Sequence, residues 1–219
     1  KDDFIWCQRL VNEALLELDH HGKGPVHINI PMNSYNVSFT VKELPEVTKF
    51  ERLQYAYEQE KWDDRVEKLK RCKKILLVCG QNSNVSEKLK TEIKEFSKKF
   101  NCAVSIEYMS NINDPDYINT VLCTDTQYIT NKKFEEIMPE IVVSFGLKEM
   151  LRRFPGKCEH WLIQEDGRVV DLFKNLTTIF ECTPEWFFEY FNTKAGDIQN
   201  DNEYNLMLKE YKESIKYPE

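Results

Sequence analysis

Apolar and polar positions follow two different rhythms along this chain. Phe4, Ile5, Cys7, Leu10, Val11, Ala14, Leu15 and Leu18 recur at helical spacing, with Arg9, Asn12, Glu13 and Glu17 on the other face. Gly22 and Gly24 stop this helix beyond His20-His21, side chains that suit the negative end of a helix dipole. Gly24-Pro-Val-His-Ile-Asn-Ile-Pro31 then reads as an apolar strand that follows a Gly-Pro turn and is stopped by a proline. Periodicity fades over residues 32–61, where Asn, Ser and Pro are common and only Val37 to Val41 hints at a short strand. That stretch reads as a surface connection between domains.

From Trp62 the rhythm changes. A helix capped by Asp63 or Asp64 runs to about Cys72, and Ile75 to Cys79 follows as a continuous apolar run closed by Gly80. Such a run suits a strand buried on both faces. The same alternation continues with a helix from Asn84-Val-Ser86 through Phe100, a strand Cys102 to Ile106 and an Asn/Asp-rich loop from Ser110 to Tyr117. A helix around Asn131 to Met138, a strand Glu140 to Phe145 ending at Gly146, and a helix Leu147 to Phe154 come next. Strands Glu159 to Gln164 and Thr177 to Glu181 precede a helix Glu185 to Tyr190, for which Thr183 is the cap and Pro184 the first helical residue. The polar tail from Thr193 carries one amphipathic helix, marked by Tyr204, Leu206, Met207 and Tyr211. This order predicts an α/β, Rossmann-like domain: right-handed βαβ units forming a mostly parallel sheet with helices on both faces. The expected division is a remnant of a preceding domain over 1–31, a linker over 32–61, the Rossmann-like domain over 62–192, and a linker over 193–219 toward a further domain. The chain is thus expected to be a piece of a longer protein.

Composition narrows the functional classes. Of 219 residues, 41% are apolar and 12% aromatic, enough for a substantial core, while the formal charge of −7 argues against a general nucleic-acid or anionic-membrane surface. The longest apolar run, Ile75 to Cys79, is far short of the roughly 20 residues a membrane helix requires. Seven scattered cysteines form no C-x-x-C pair, and Cys79 and Cys102 sit in or beside apolar strands as small buried thiols. A reducing, cytoplasmic setting is expected.

Few residues carry recognisable chemistry. Gly80-Gln-Asn-Ser-Asn84 lies between a strand and a helix, but it has one glycine where a dinucleotide fingerprint has three, and it lacks the Lys-Ser/Thr of a P-loop. It reads as a polar turn. His27 and His160 sit among apolar neighbours and read as packed histidines, and His20-His21 has no third metal ligand placed nearby. Asp166-Gly167 marks a turn, with Asp171 in the loop that follows. Arg152-Arg153, shortly after Gly146, admits two readings. Guanidiniums near the carboxyl ends of parallel strands can hold carboxylates bidentately, and arginines beside Phe154-Pro155-Gly156 can solvate a helix end.

The Gly24 to Pro31 phrase, preceded by Arg9-Leu-Val-Asn-Glu-Ala-Leu, resembles the end of the pyrimidine-binding domain of thiamine-diphosphate enzymes. Lys74 to Gly80 and Glu140 to Gly146 resemble strands of the central domain that follows it in that superfamily. Ser144-Phe-Gly146, Arg152-Arg153, His160-Trp161, Asp166-Gly167 and Val170-Asp171-Leu172 are most similar to the 2-succinyl-5-enolpyruvyl-6-hydroxy-3-cyclohexene-1-carboxylate synthases of the menaquinone pathway. The resemblance implies that residues 1–31 end the pyrimidine-binding domain and that 193–219 lead to a diphosphate-binding domain. It implies a parent enzyme using thiamine diphosphate and magnesium to decarboxylate a small 2-oxoacid, 2-oxoglutarate, and add the product to isochorismate. It further implies a homodimer or homotetramer that engages neither nucleic acid nor membrane. Arg152 and Arg153 match the family's basic pair, which holds substrate carboxylates, although Leu151 stands where the family has serine and Arg152 where it has lysine. The family's activating glutamate lies upstream of residue 1, and its Gly-Asp-Gly motif belongs to the domain after residue 219. This chain alone is therefore expected to bind no cofactor or metal and to be inactive. The alternatives are a diverged, acetolactate-synthase-like enzyme for another 2-oxoacid, and a central domain that binds a nucleotide.

Overall fold

The computed structural model describes residues 2–32, 36, 38, 40–83, 85–119, 130–146, 158–171 and 173–214. It divides into two compact units, residues 1–51 and 52–219.

In the first unit, helix α1 (Asp2–Leu16) forms as its apolar stripe predicts. Its polar side carries a specific device: Gln8 Oε1 accepts from the Thr48 backbone N–H at 2.9 Å, and Asn12 Oδ1 accepts from that of Phe50 at 2.9 Å. Asn12 also donates to the Thr48 carbonyl at 3.0 Å. Two side chains thus pair with a backbone as a neighbouring strand would. The apolar stripe itself is uncovered, with Phe4, Trp6, Leu10, Val11 and Leu15 all exposed. Val26 to Ile30, expected as a strand, pairs with no strand among the described residues, His27 is exposed, and Ile30 is 78% exposed. Its apolar sequence suits a sheet, but a strand exists only with a ladder partner.

The second unit is built on a six-stranded sheet, and its edge strand β1 (Glu51–Gln54) begins at the unit boundary. The other strands are β2 (Ile75–Cys79), β3 (Cys102–Ile106), β4 (Ile141–Phe145), β5 (Glu159–Ile163) and β6 (Leu176–Glu181), in the order β1-β6-β5-β4-β2-β3. Every pairing from β3 across to β6 is parallel. The expected α/β, Rossmann-like architecture is present. The β5–β6 register slips between His160 and Trp161, where Thr177 Oγ1 donates to the His160 carbonyl at 3.3 Å.

Each central strand sends alternate side chains to opposite faces. On the first face Ile75, Leu77 and Cys79 of β2, with Val143 and Phe145 of β4, meet helices α2 (Gln59–Arg71), α3 (Glu87–Lys99) and, numbered in chain order, α5 (Pro184–Ala195). The second face presents Leu76, Val78, Ala103 and Val142 to α4 (Asn131–Ile137) and α6 (Glu203–Ser214). Thr183 caps α5 as expected, its Oγ1 accepting from the Trp186 N–H at 3.2 Å. The tail helix α6 is no loose linker: Tyr204, Leu208 and Tyr211, at i, i+4 and i+7, are buried.

Two elements depart from the sequence reading. β1 lies in the stretch read as a connection, because Glu-Arg-Leu-Gln offers one apolar side chain, Leu53, to the core. Helix α2 starts at Gln59, earlier than Asp63 or Asp64, after Glu58 adopts a left-handed φ of 51° that breaks the preceding chain.

The first face is dominated by aromatic rings. Trp62 meets Phe180 and Trp186 at 4.8 Å each, Phe187 stacks on Phe191 at 4.2 Å, and Phe96 meets Phe100 at 4.7 Å and Phe188 at 5.2 Å. Such pairs contribute about 0.5–1.5 kcal/mol beyond simple burial. Phe96 stands where α3 meets α5, so Phe96→Ala should lower unfolding free energy in urea by about 3–5 kcal/mol. A loss near 1 kcal/mol would show that the face repacks.

Candidate functional site

Ligands of open parallel sheets bind beyond the carboxyl ends of the strands. There the turn after β2 and the end of β4 meet. The Gly80 N–H donates to the Phe145 carbonyl at 2.9 Å, and the Asn82 N–H donates to the Met109 carbonyl at 3.1 Å. Gly146 adopts φ +66°, and a Cβ there would lie 2.4 Å from the Gln81 carbonyl oxygen. Glycine is required at this position on both counts: left-handed backbone and no room for a side chain.

This clasp decides how the Gly80–Asn84 turn is used. A phosphate-binding loop presents unpaired N–H groups to its ligand, whereas Gly80 and Asn82 have given theirs to protein carbonyls. Beyond the turn, Ser86 caps α3 by accepting from the Leu89 N–H at 3.0 Å, and its hydroxyl donates to Glu185 Oε1 at 3.0 Å. A carboxylate thus already stands near the positive end of α3. The described part of the turn does not fit a diphosphate.

On the second face, Ser144 and His160 share a hydrogen bond of 2.7 Å between Oγ and Nε2, and both are fully buried. Phe173 packs edge-on against the imidazole at 4.7 Å. Burial alone depresses the imidazole pKa to about 3, so the ring is neutral across the physiological range. Without access for a substrate, this Ser-His pair is a core contact, as the sequence suggested for His160. Asp171 is equally structural: its Oδ1 accepts from the Asn175 and Leu176 N–H groups at 3.1 Å each. Gly167, at φ +63°, closes the Asp166 turn with its N–H donated to the Gln164 carbonyl at 3.0 Å. Burial raises the thiol pKa values of Cys79 and Cys102, which excludes them as nucleophiles.

Arg152 and Arg153 lie outside the described residues, as does the helix expected over Leu147 to Phe154. The structure takes the chain to the carboxyl edge at Gly146, and Arg152 is the sixth residue after it. The sequence reading missed Glu107, an acid directly after β3 that is only 5% exposed. A charged residue flush against an apolar strand was its one signal.

No family model matches the chain. Its sequence is 35% identical to the 2-succinyl-5-enolpyruvyl-6-hydroxy-3-cyclohexene-1-carboxylate synthase of Bacteroides thetaiotaomicron, over the whole chain and 40% of that relative. The protein of the same name from Phocaeicola vulgatus is 34% identical over the same shares, and that of Flavobacterium psychrophilum 27% identical over 85% of the chain and 35% of its own length. By sequence, this chain is a relative of these synthases. It spans about two fifths of the length of the first two. No helix among the described residues is long and apolar enough to cross a membrane.

The buried imidazole has a measurable consequence. Its folded pKa lies below the unfolded value near 6.5, so the unfolded state takes up the proton first. Stability from this group is complete above about pH 6.5 and falls as pH drops toward 3, by up to about 1.4 kcal/mol per unit. Urea unfolding at pH 7, 6 and 5 should show a loss that is shallower in His160→Gln. Parallel profiles would assign the acid sensitivity to other groups.

Proposed function

We propose that this chain is the central part of a thiamine-diphosphate-dependent enzyme of the 2-succinyl-5-enolpyruvyl-6-hydroxy-3-cyclohexene-1-carboxylate synthase type. The observation that carries the reading is the 35% identity to such a synthase along the entire chain. In this reading the parent is a cytoplasmic homodimer or homotetramer of the menaquinone pathway. It takes 2-oxoglutarate as donor and isochorismate as acceptor. Thiamine diphosphate with magnesium, bound by other parts of the parent, supplies the electron sink for decarboxylation.

This chain's own share is positional. Residues 1–31 complete the preceding pyrimidine-binding domain, whose core would cover the exposed stripe of α1; exposed apolar faces of this size mark interfaces. Residues 62–192 form most of the central domain, to which β1 and the start of α2, from the stretch 32–61, and α6, from 193–219, also contribute. Arg152 and Arg153 receive substrate carboxylates by paired N–H donation, as planar guanidinium forks do well. Because the turn after β2 has engaged its N–H groups internally, the pair acts without help from a phosphate loop in this domain.

Two measurements test the proposal. Isothermal titration of this chain with thiamine diphosphate and magnesium should give no binding heat, and micromolar affinity would overturn the division of labour. In the parent enzyme, Arg152→Ala and Arg153→Ala should each lower kcat/KM by about 2–4 kcal/mol of transition-state stabilisation, the scale of a lost charged hydrogen bond. Unchanged kcat/KM in both variants would reduce the pair to a solvated helix end.

A further inference from the structure

Beyond the end of β3 lies a cavity of about 510 Å³, within the range of small-molecule sites. Its lining includes Glu107, Tyr108, Asn111, Ile112, Tyr117 and Asn119. The loop that shapes it is fastened from within. The Ser110 N–H donates to the Glu107 carbonyl at 3.0 Å, the Ile112 N–H to Ser110 Oγ at 3.3 Å, and the Asp116 N–H to Asp114 Oδ1 at 2.9 Å. Asn111, at φ 56°, donates its amide to the Asn82 carbonyl. The cavity is therefore preformed, and a ligand need not order the loop.

Glu107 is the anomaly in its wall. The carboxyl is 5% exposed, and its Oε1 is buried with no hydrogen-bond partner among the described residues. Burial raises its pKa. An unpartnered acceptor of this kind costs about 1–3 kcal/mol, which the fold tolerates without any visible structural return. Asp114, also in the lining, is satisfied by Lys94 at 3.1 Å, so Glu107 is the carboxyl left in need of a donor.

We infer that this cavity is a binding site for a small organic ammonium ion, with Glu107 as the receiving carboxylate. A cationic N–H donor forms the stronger, charge-assisted bond to a carboxylate. Tyr108 and Tyr117 line the cavity with rings of the kind that attract cations, and Asn111 and Asn119 bring amides of the type whose oxygens accept N–H groups. Ile106, Ile112 and Ile118 supply an apolar wall for a carbon skeleton. A bare metal ion suits the cavity poorly, because calcium or magnesium requires several oxygens converging on one point, and among the described lining residues Glu107 is the one carboxylate whose buried oxygen lacks a hydrogen-bond partner. This inference does not depend on the proposed enzymology.

The test is titration of the whole chain with benzylammonium, agmatine and ethanolammonium, using benzyl alcohol as the neutral control, followed by backbone amide shifts at pH 8. At least one amine should saturate below about 20 mM, with shifts centred on residues 107–119, and benzyl alcohol should bind about tenfold more weakly than benzylammonium. Glu107→Gln, nearly isosteric, should weaken amine binding about tenfold and leave the alcohol unchanged. In the wild-type chain amine affinity should fall as pH drops through the titration of Glu107, a readout that holds even if the variant misfolds. Lys212→Gln should preserve or strengthen binding, since Lys212 lines the same cavity and its charge opposes an incoming cation. Absence of saturation by all three amines, equal binding of amine and alcohol, full amine affinity in Glu107→Gln, or loss of binding in Lys212→Gln would each overturn the inference.

Discussion

A parallel sheet must be covered on both faces, and this requirement sets the terms for the rest of the domain. The ladder from β3 to β6 leaves no strand that can alternate between core and water, so β2 and β4 are buried from end to end. The two faces meet the demand differently. The first is closed by rings from α2, α3, α5 and β6. The second is closed by α4 and α6 and admits polar groups: Ser105 and Ser144 toward the carboxyl ends of β3 and β4, and His160 near the amino end of β5. His160 Nδ1, like Glu107 Oε1, is buried with no hydrogen-bond partner among the described residues. Each such atom costs free energy, and the densely packed aromatic face is what offsets it.

What was legible in the sequence follows from that same requirement. Continuous runs such as Ile75 to Cys79 announced their strands because burial on both faces leaves no room for polar alternation. Thr183-Pro184 and Ser86 announced their helix starts because capping is local chemistry. β1 stayed hidden because an edge strand needs only Leu53 to reach the core. Val26 to Ile30 misled for the opposite reason: its pattern is a strand's, but pairing is a property of neighbours, which a local pattern does not contain. Glu107 was invisible because its burial comes from the loop over residues 108–119 folding back on β3, a tertiary event. The Arg152-Arg153 pair was legible as a motif from its spacing to Gly146, and its surroundings lie outside the described residues.

The turn after β2 shows how geometry decides between readings that composition leaves open. Strand, glycine, polar turn and helix is the order of a phosphate loop as well as of an ordinary crossover. The difference lies in where two N–H groups go, and those of Gly80 and Asn82 go to Phe145 and Met109. Gly146 then fits against Gln81 so closely that a methyl group has no place. The glycine that resembles a family signature is, in physical terms, half of a backbone clasp between two strand ends.

That clasp constrains any function at this edge of the sheet. The described ends of β2 and β4 are held together there, with Gly80 bonded to Phe145 and Gln81 packed closely on Gly146. The carboxylate clamp proposed for Arg152 and Arg153 would need no phosphate cradle beneath it, since planar guanidinium forks bind carboxylates by themselves. The cavity at the end of β3 is free of the constraint, because its loop folds past the clasp and keeps a buried acid at its wall. The described end of β4 is thus taken up by close backbone packing, whereas the described end of β3 keeps an acid within the domain.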